Sequence, residues 1–471
     1  MTLSGIAPDG LFHIDFPVDW LGPDVLSLLA QERHEFEAVL GVPVVFSEPA
    51  GTCCRWVVER ADPGEAPSLE WNAERGVLVS RAADGQGVMA TLSLLQTLAH
   101  SPGTQVSAAP PSTIDEAIEL IRTECATTYP YFTLRGLRWD DICAGALQDR
   151  PRTWDQFIPW ATRWVAQLGD AHTAVIDHRS AEFHPPYTAE LLERGAVMIR
   201  VPEESAAFAA GVRPGWIVDV GDPAAWLAAV GASPQQHGRM AARRAMAIQG
   251  TQRRFTARDP RSSRSVTWTE EAGRHSRDDI VRLERSRSGE VHIVLRAFDP
   301  SADVESVFDA AAAAATASDR MVLDLRGNVG GDIMLAGRLR DRFLRARTWV
   351  GSAAFTDGRG GLSEPRPRWA DPSESGRWPG ILTVMVDAST YSAAEDFLVG
   401  LKGLEHVTVV GERTGGGSGR PRLIPLGPGC SLRISTALTY DRRGRPVEFH
   451  GIEPDEGSCG AGGTLSAGRV L

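Results

Sequence analysis

The sequence predicts a multidomain α/β chain, α+β over its whole length, and three observations predict it. At 471 residues it is long for a single domain and calls for about three or four. Between 291 and 332, strand-like apolar runs and helical patterns alternate in β-α-β-loop-α order, which implies parallel strands joined by right-handed crossovers. A further apolar run, I-L-T-V-M-V (381–386), passes through a short polar turn into the helical pattern opened by Ser392-Ala393-Ala394-Glu395.

Composition narrows the class. A hydrophobic content of 42% is ordinary for a soluble globular protein, and a net charge of −11 argues against a general nucleic-acid binder. There is no 18-residue apolar run, so no membrane span is expected, and the first residues lack the basic-then-apolar pattern of a secretory signal. Six cysteines (Cys53, Cys54, Cys125, Cys143, Cys430 and Cys459) form no C-x-x-C pair, which leaves no zinc or redox framework. Free thiols in a cytoplasmic location, with no metal and no cofactor, are the expectation. His34-Glu35 is followed by Ala38 where a zinc-binding helix needs a second histidine.

Taken in order, residues 1–106 read as a small α/β domain. Strands are expected at 42–46, 55–59 and 76–80, and helices at 24–37 and 87–100. The stretch S-A-A-P-P-S-T (107–113) is a linker. A helical segment, 112–180, carries helices near 114–127, 139–149 and 153–168, the second starting at Trp139-Asp140-Asp141 and the third capped by Thr153. It ends in L-G-D-A-H-T (168–173), which puts His172 just after a tight turn and at the start of a strand. A histidine in that position is more often structural than catalytic.

Residues 196–222 read as strand, short Ala-rich helix, A-G-V-x-P-G turn and strand, with further strands at 254–258 and 265–269. The charged stretch 270–290 reads as a link. Strands at 291–295 and 321–325 flank a helix at 303–316, and R-G-N-V-G-G-D (326–332) turns into another helix. Glycines there let the backbone approach a bound group and point N–H groups at it. No G-K-[ST] follows, which removes a nucleotide phosphate loop. Residues 356–380 read as a long surface loop, 407–411, 422–426 and 431–440 as strands, and the last eleven residues as a loose tail.

Ser392 is the chemical candidate. A serine at a strand-to-helix turn sits at the positive end of the helix dipole beside free backbone N–H groups, a suitable place for a nucleophile whose reaction builds an oxyanion. S-x-x-E is also the capping-box pattern, so a plain helix cap is the alternative.

Three motifs stand in order: D-L-R-G-N-V-G-G (324–331), Y-S-A-A-E-D (391–396) and G-E-R-T-G-G-G (411–417). Together they resemble the tail-specific, C-terminal processing serine protease superfamily, and L-G-D-A-H-T resembles the L-x-D-x-H-T motif of its histidine-base branch, over about residues 112–455. In the lysine-base branch the base follows G-E-x-T-x-G; here that position is Gly417. The single lysine, Lys402, lies ten residues beyond Ser392 on the same helix, about 15 Å away. The serine–lysine arrangement is thereby excluded.

The resemblance implies Ser392 as nucleophile, His172 as general base and Glu448 orienting or polarising the site, directly or through another group. It further implies an oxyanion hole from Ala393 with Gly330 or Gly331, and Asp324 and Arg326 holding the Gly-rich turn. His450 is a second choice for the base, and Glu395, Glu453 and Asp455 are rivals of Glu448 for the acid. Ala171 stands where the best-described tetrad of that branch has a serine. A PDZ-like domain is implied at 185–272, and a protease core at 285–471. The expected partner is a peptide or unfolded protein segment, with no nucleic acid and no membrane, and a homo-oligomer left open. The alternatives are a non-catalytic binding protein for apolar ligands or peptides, and a specialised esterase or peptide-trimming enzyme.

Overall fold

The computed structural model describes residues 111–457, apart from 180–181, 263, 274–279, 286–289, 314 and 317–318. Of the first 110 residues it describes five strands only: β1 (Phe12–Asp15), β2 (Val44–Phe46), β3 (Arg55–Arg60), β4 (Ser68–Asn72) and β5 (Val77–Ala82). They form one sheet in the order β2-β1-β3-β5-β4, parallel except where β4 runs against β5. Strands β1 and β4 were not expected from the sequence. The helices expected at 24–37 and 87–100, and the tail, lie outside the described residues.

Helix α1 (Ile114–Thr128) starts at Thr113, whose hydroxyl accepts from the Glu116 N–H while Glu116 reaches back to the Thr113 N–H, so the end of the expected linker is a capping box. A short helix, α2 (Phe132–Arg135), precedes α3 (Trp139–Ala146) and α4 (Trp154–Ala166), the last capped by Thr153 as the sequence suggests. Trp139 stacks on Trp164 with ring centroids 5.4 Å apart, closing a core that the aromatic spacing of α3 and α4 builds.

Next comes β6 (Ala174–Asp177), then the two-residue β7 (Glu182–Phe183), and then a largely antiparallel unit: β8 (Thr188–Leu192), β9 (Gly195–Arg200), α5 (Ala206–Ala209), β10 (Ile217–Val218), α6 (Pro223–Ala228), α7 (His237–Ala245), β11 (Ile248–Gln249), β12 (Gln252–Arg258) and β13 (Ser265–Glu271). Its main sheet runs β13-β12-β10-β9-β8 and encloses a core that includes Trp216, Phe255 and Trp268.

The last part is a six-stranded sheet, β14-β15-β16-β19-β20-β24. Its members are β14 (Val281–Arg285), β15 (Val291–Leu295), β16 (Arg320–Asp324), β19 (Ile381–Val386), β20 (Val407–Gly411) and β24 (Glu456–Gly457). All pairs but β14–β15 are parallel, as the crossover order requires. Helices α8 (Val304–Ala312), α9 (Ile333–Asp341) and α10 (Ala393–Leu401) belong to this part, and every residue of α10 is buried.

Three expectations need correction. The charged link 270–290 contains β14, whose Val281 and Leu283 pair with Leu295 and Ile293. The surface loop 356–380 contains β18 (Arg366–Ala370), the edge partner of β17 (Thr348–Phe355). Flanking charge masks β14, and proline masks β18, so that only sheet pairing makes these short strands favourable. The expected strand at 431–440 is two, β22 (Cys430–Ile434) and β23 (Ala437–Tyr440).

The topology also decides what meets what. Strand β22 pairs with β21 (Arg422–Gly427) on one side and with β6 on the other. That register sets Ala174 opposite Arg433, and so carries the L-G-D-A-H-T turn, just ahead of β6, to the C-terminal part of the chain.

Candidate active site

Ser392 is the N-cap of α10 and has φ 59° and ψ −122°, a conformation rarely tolerated outside glycine. Three contacts hold it there. The Ser392 N–H donates to Glu395 Oε2 at 3.3 Å, the Tyr391 N–H donates to the Asn328 carbonyl at 2.9 Å, and the Glu395 N–H returns to the Ser392 carbonyl at 2.8 Å. With the backbone so fixed, the hydroxyl turns away from the helix and lies 2.9 Å from His172 Nε2. The capping and nucleophile readings of S-x-x-E are therefore both met: Glu395 takes the backbone N–H, and the side chain stays available.

Glu395 ties the motifs together. It is fully buried and also accepts from the Gly416 and Gly417 N–H groups at 2.8 Å each and from the Thr414 hydroxyl. Burial pushes its carboxyl up to about 7, against the pull of these donors. The G-E-R-T-G-G-G loop is thus anchored on the nucleophile turn by one side chain.

His172 is positioned by its own turn. Buried Asp170 accepts from the His172 backbone N–H at 2.8 Å and from the hydroxyls of Thr173 and Ser435 at 2.6 Å each. Arg433 donates to the carbonyls of Ala171 at 2.7 Å and His172 at 3.0 Å. Burial lowers the imidazole to about 4, with Asp170 working against the shift and Arg433 with it, so the ring is neutral near pH 7 and able to accept a proton.

The other ring nitrogen meets a residue that sequence reading passed over. Tyr391 Oη lies 2.9 Å from His172 Nδ1, and the two rings stack with centroids 4.7 Å apart. Burial, with Glu448 and Asp170 nearby, pushes the phenol well above its usual range, so it stays neutral. The signal was available as the residue just before the serine, but an aromatic there reads as core.

Glu448 is close to this group without hydrogen-bonding to it. Asp170, His172 and Glu448 each bring one ligand atom within 4.8 Å of the others. The Glu448 carboxylate, however, pairs with Arg135 at 3.1 Å and accepts from the Ser418 N–H at 3.0 Å. Burial and Asp170 push its carboxyl up, while Arg135 and Ser418 pull the other way. As a metal set the trio is already committed, since each residue is engaged by protein partners. His450 touches the Glu448 carbonyl, 3.1 Å away, and is not brought to the serine.

Of the expected oxyanion donors, Gly330 spends its N–H on Asn328 Oδ1 at 2.8 Å. The Ala393 and Gly331 N–H groups make no hydrogen bond to any described residue. Gly330 is required for another reason: at φ 98°, a Cβ there would stand 2.7 Å from Ser392 Cβ and 2.9 Å from the Ala393 nitrogen. Asp324 and Arg326 pair at 2.9 Å and hold the Gly-rich turn. Lys402 caps the far end of α10 and pairs with Asp455.

A neutral buried histidine over a strained serine, at the C-terminal edge of a parallel sheet, defines an α/β protein with a serine–histidine site. Residues 291–458 match the family model "Peptidase family S41". A carboxy-terminal-processing protease of Bartonella bacilliformis is 29% identical over 142 residues, which are 28% of this chain and 30% of that protein, so the match spans about a third of the relative's length. Mature CPAF superposes with a TM-score of 0.56 at 14% identity, over 73% of this chain and 92% of that one. Mature CPAF complexed with lactacystin gives 0.53 at 15% identity, over 73% of this chain and 93% of that one. Among the described residues no helix is long and apolar enough to cross a membrane.

Proposed function

We propose that the chain is a serine peptidase acting on peptides or unfolded protein segments through an acyl-enzyme. The observation that carries this reading is the 2.9 Å contact between Ser392 Oγ and His172 Nε2, made by a serine held at positive φ on a helix N-terminus. Ser392 Oγ attacks the scissile carbonyl carbon as its proton passes to His172 Nε2. The oxyanion is received by the Ala393 and Gly331 N–H groups. The C–N bond breaks, the amine leaves with the proton from His172, and a water deprotonated by the same nitrogen releases the acid. Tyr391 Oη, 2.9 Å away, and the Gly419 N–H, donating at 3.4 Å, both engage Nδ1 and so hold the ring with Nε2 toward Ser392. Glu448 stands beside the site, held by Arg135 and the Ser418 N–H.

The antiparallel unit from β8 to β13 is read as a PDZ-like domain, on its short helix, its A-G-V-x-P-G turn and its open sheet. The N-terminal sheet is read as a separate α/β domain. A reducing compartment such as the cytoplasm suits Cys125, Cys143 and Cys430, which are buried as free thiols.

The test is labelling with a fluorophosphonate probe, beside hydrolysis of matched peptide and ester substrates. Labelling is expected in the wild type and absent in Ser392→Ala and His172→Ala. An unlabelled wild type across pH 5–9 would remove the peptidase reading, and ester hydrolysis without peptide hydrolysis would replace it with an esterase.

A further inference from the structure

Beside the catalytic group lies a cavity of about 210 Å³ between the antiparallel unit and the parallel-sheet core. Gly327 and Val329 of the Gly-rich turn and Ser389 of the nucleophile turn form part of its wall, so it opens onto the same loops that carry the site. Its charge is one-sided. Five arginines line it (Arg200, Arg239, Arg243, Arg282 and Arg296) against a single carboxylate, Glu204.

Three of these cations are satisfied within the protein. Arg239 pairs with Asp387 at 3.2 Å and with Glu412, Arg296 with Asp324 at 2.9 Å, and Arg282 with Glu284 at 2.7 Å. Arg200 is different. Its Nε is buried and has no hydrogen-bond partner, and it forms no ion pair with any described residue. It stands over the Gly-rich turn, where a Cβ on Gly327 would be 3.2 Å from Arg200 Nη2. Burial lowers its pKa to about 10, which still leaves it charged at neutral pH.

A second unsatisfied side chain belongs to the wall of the same space. Gln236 lines the cavity, is completely buried, and leaves both its carboxamide nitrogen and oxygen without a partner. It adjoins the catalytic group: a Cβ on Gly415 would touch both Gln236 Nε2 and Tyr391 Cδ2 at 2.8 Å. A buried donor and acceptor left open cost folding free energy, which a bound group supplying both restores. Gln236 needs a group that both accepts and donates, which a main-chain amide does. Arg200 needs an anion, and a carboxylate fits its planar fork.

We propose that this cavity is a specificity subsite for an acidic residue of the substrate, with Gln236 holding a main-chain amide and Arg200 the side-chain carboxylate. The proposal rests on the peptidase reading, and it can fail separately.

The experiment uses the full chain carrying Ser392→Ala, titrated with peptides blocked at both ends that carry one Glu or one Gln at each successive position. At one position the Glu peptide is expected to bind at least about tenfold tighter than its Gln twin. Arg200→Gln should bring that ratio within about twofold, and Arg200→Lys should keep part of it, which separates loss of charge from loss of fold. Gln236→Leu should weaken both twins alike. No Glu preference at any position, or a preference that survives Arg200→Gln, would each overturn the proposal. Selective binding without cleavage by the wild type would leave the carboxylate site standing and remove the peptidase reading; cleavage without selectivity would do the reverse.

Discussion

Tyr391 Oη sits 2.9 Å from His172 Nδ1, on the side of the imidazole opposite Ser392. A neutral phenol thus occupies the place where a carboxylate would orient the base, and Asp170 and Glu448 each bring a carboxylate oxygen within 4.8 Å of an imidazole nitrogen. Tyr391→Phe keeps the stacked ring and removes only this hydrogen bond. The expected result is a fall in kcat of about 10- to 100-fold with KM nearly unchanged, since the ring is held less firmly toward Ser392. Steady-state kinetics on a peptide substrate check it; a KM effect with intact kcat would show that Tyr391 serves binding instead.

The acid limb of the rate profile follows from burial of His172. With its pKa lowered to about 4, the base is unprotonated through the range where exposed histidines titrate. The profile of kcat/KM against pH is expected to rise near pH 4 and to lack an inflection at the ordinary value of 6.5. An acid limb at that ordinary value would show the ring more solvated than its surroundings imply.

Stability should carry two opposed pH slopes. His172 is lowered from 6.5 to about 4, so its contribution is complete above 6.5 and is lost as pH falls toward 4. Glu395 is raised from 4.5 to about 7, so its contribution is complete below 4.5 and is lost as pH rises through 7. Each spans up to about 3 kcal/mol, and in the wild type they largely cancel. His172→Ala should expose the Glu395 slope, with the urea midpoint falling between about pH 5 and about pH 7.5. Glu395→Gln should expose the opposite slope, and identical pH dependence in both variants would refute the assignment.

The Arg135–Glu448 pair is almost fully buried, with side-chain exposures of 5% and 1%. Glu448→Ala leaves a buried guanidinium unpaired and should cost about 3–5 kcal/mol, whereas Arg135→Met with Glu448→Leu should recover most of that. Activity should not return with stability in the double variant, because the buried carboxyl beside His172 is gone. Denaturant melts and kcat measured on the same samples decide it; recovery of both would make Glu448 purely structural.

Gly330→Ala places a methyl group against the nucleophile, where the built Cβ stands 2.7 Å from Ser392 Cβ. A fall of about 10²- to 10³-fold in kcat is expected, similar to loss of an oxyanion donor. The rate of fluorophosphonate labelling should fall with it, and labelling at the wild-type rate would show that the turn absorbs the methyl.

Local patterns were enough for much of the protein. The apolar runs at 291–295 and 407–411 return as strands with those same limits, and Thr153 caps its helix, because strand burial and helix capping depend on residues a few positions apart. The Ser392 turn and the exclusion of Lys402 were legible for the same reason, both lying on one helix whose rise is known. What tertiary structure alone decided is the company of the histidine. His172 and Ser392 are 220 residues apart, and they meet through the pairing of β6 with β22 and the anchoring of the 414–417 loop on Glu395. Tyr391 on Nδ1, Glu448 on Arg135 and the open groups of Arg200 and Gln236 follow from that meeting. A hydrogen bond depends on the direction and distance of two side chains from different elements, and no periodicity within either element encodes it.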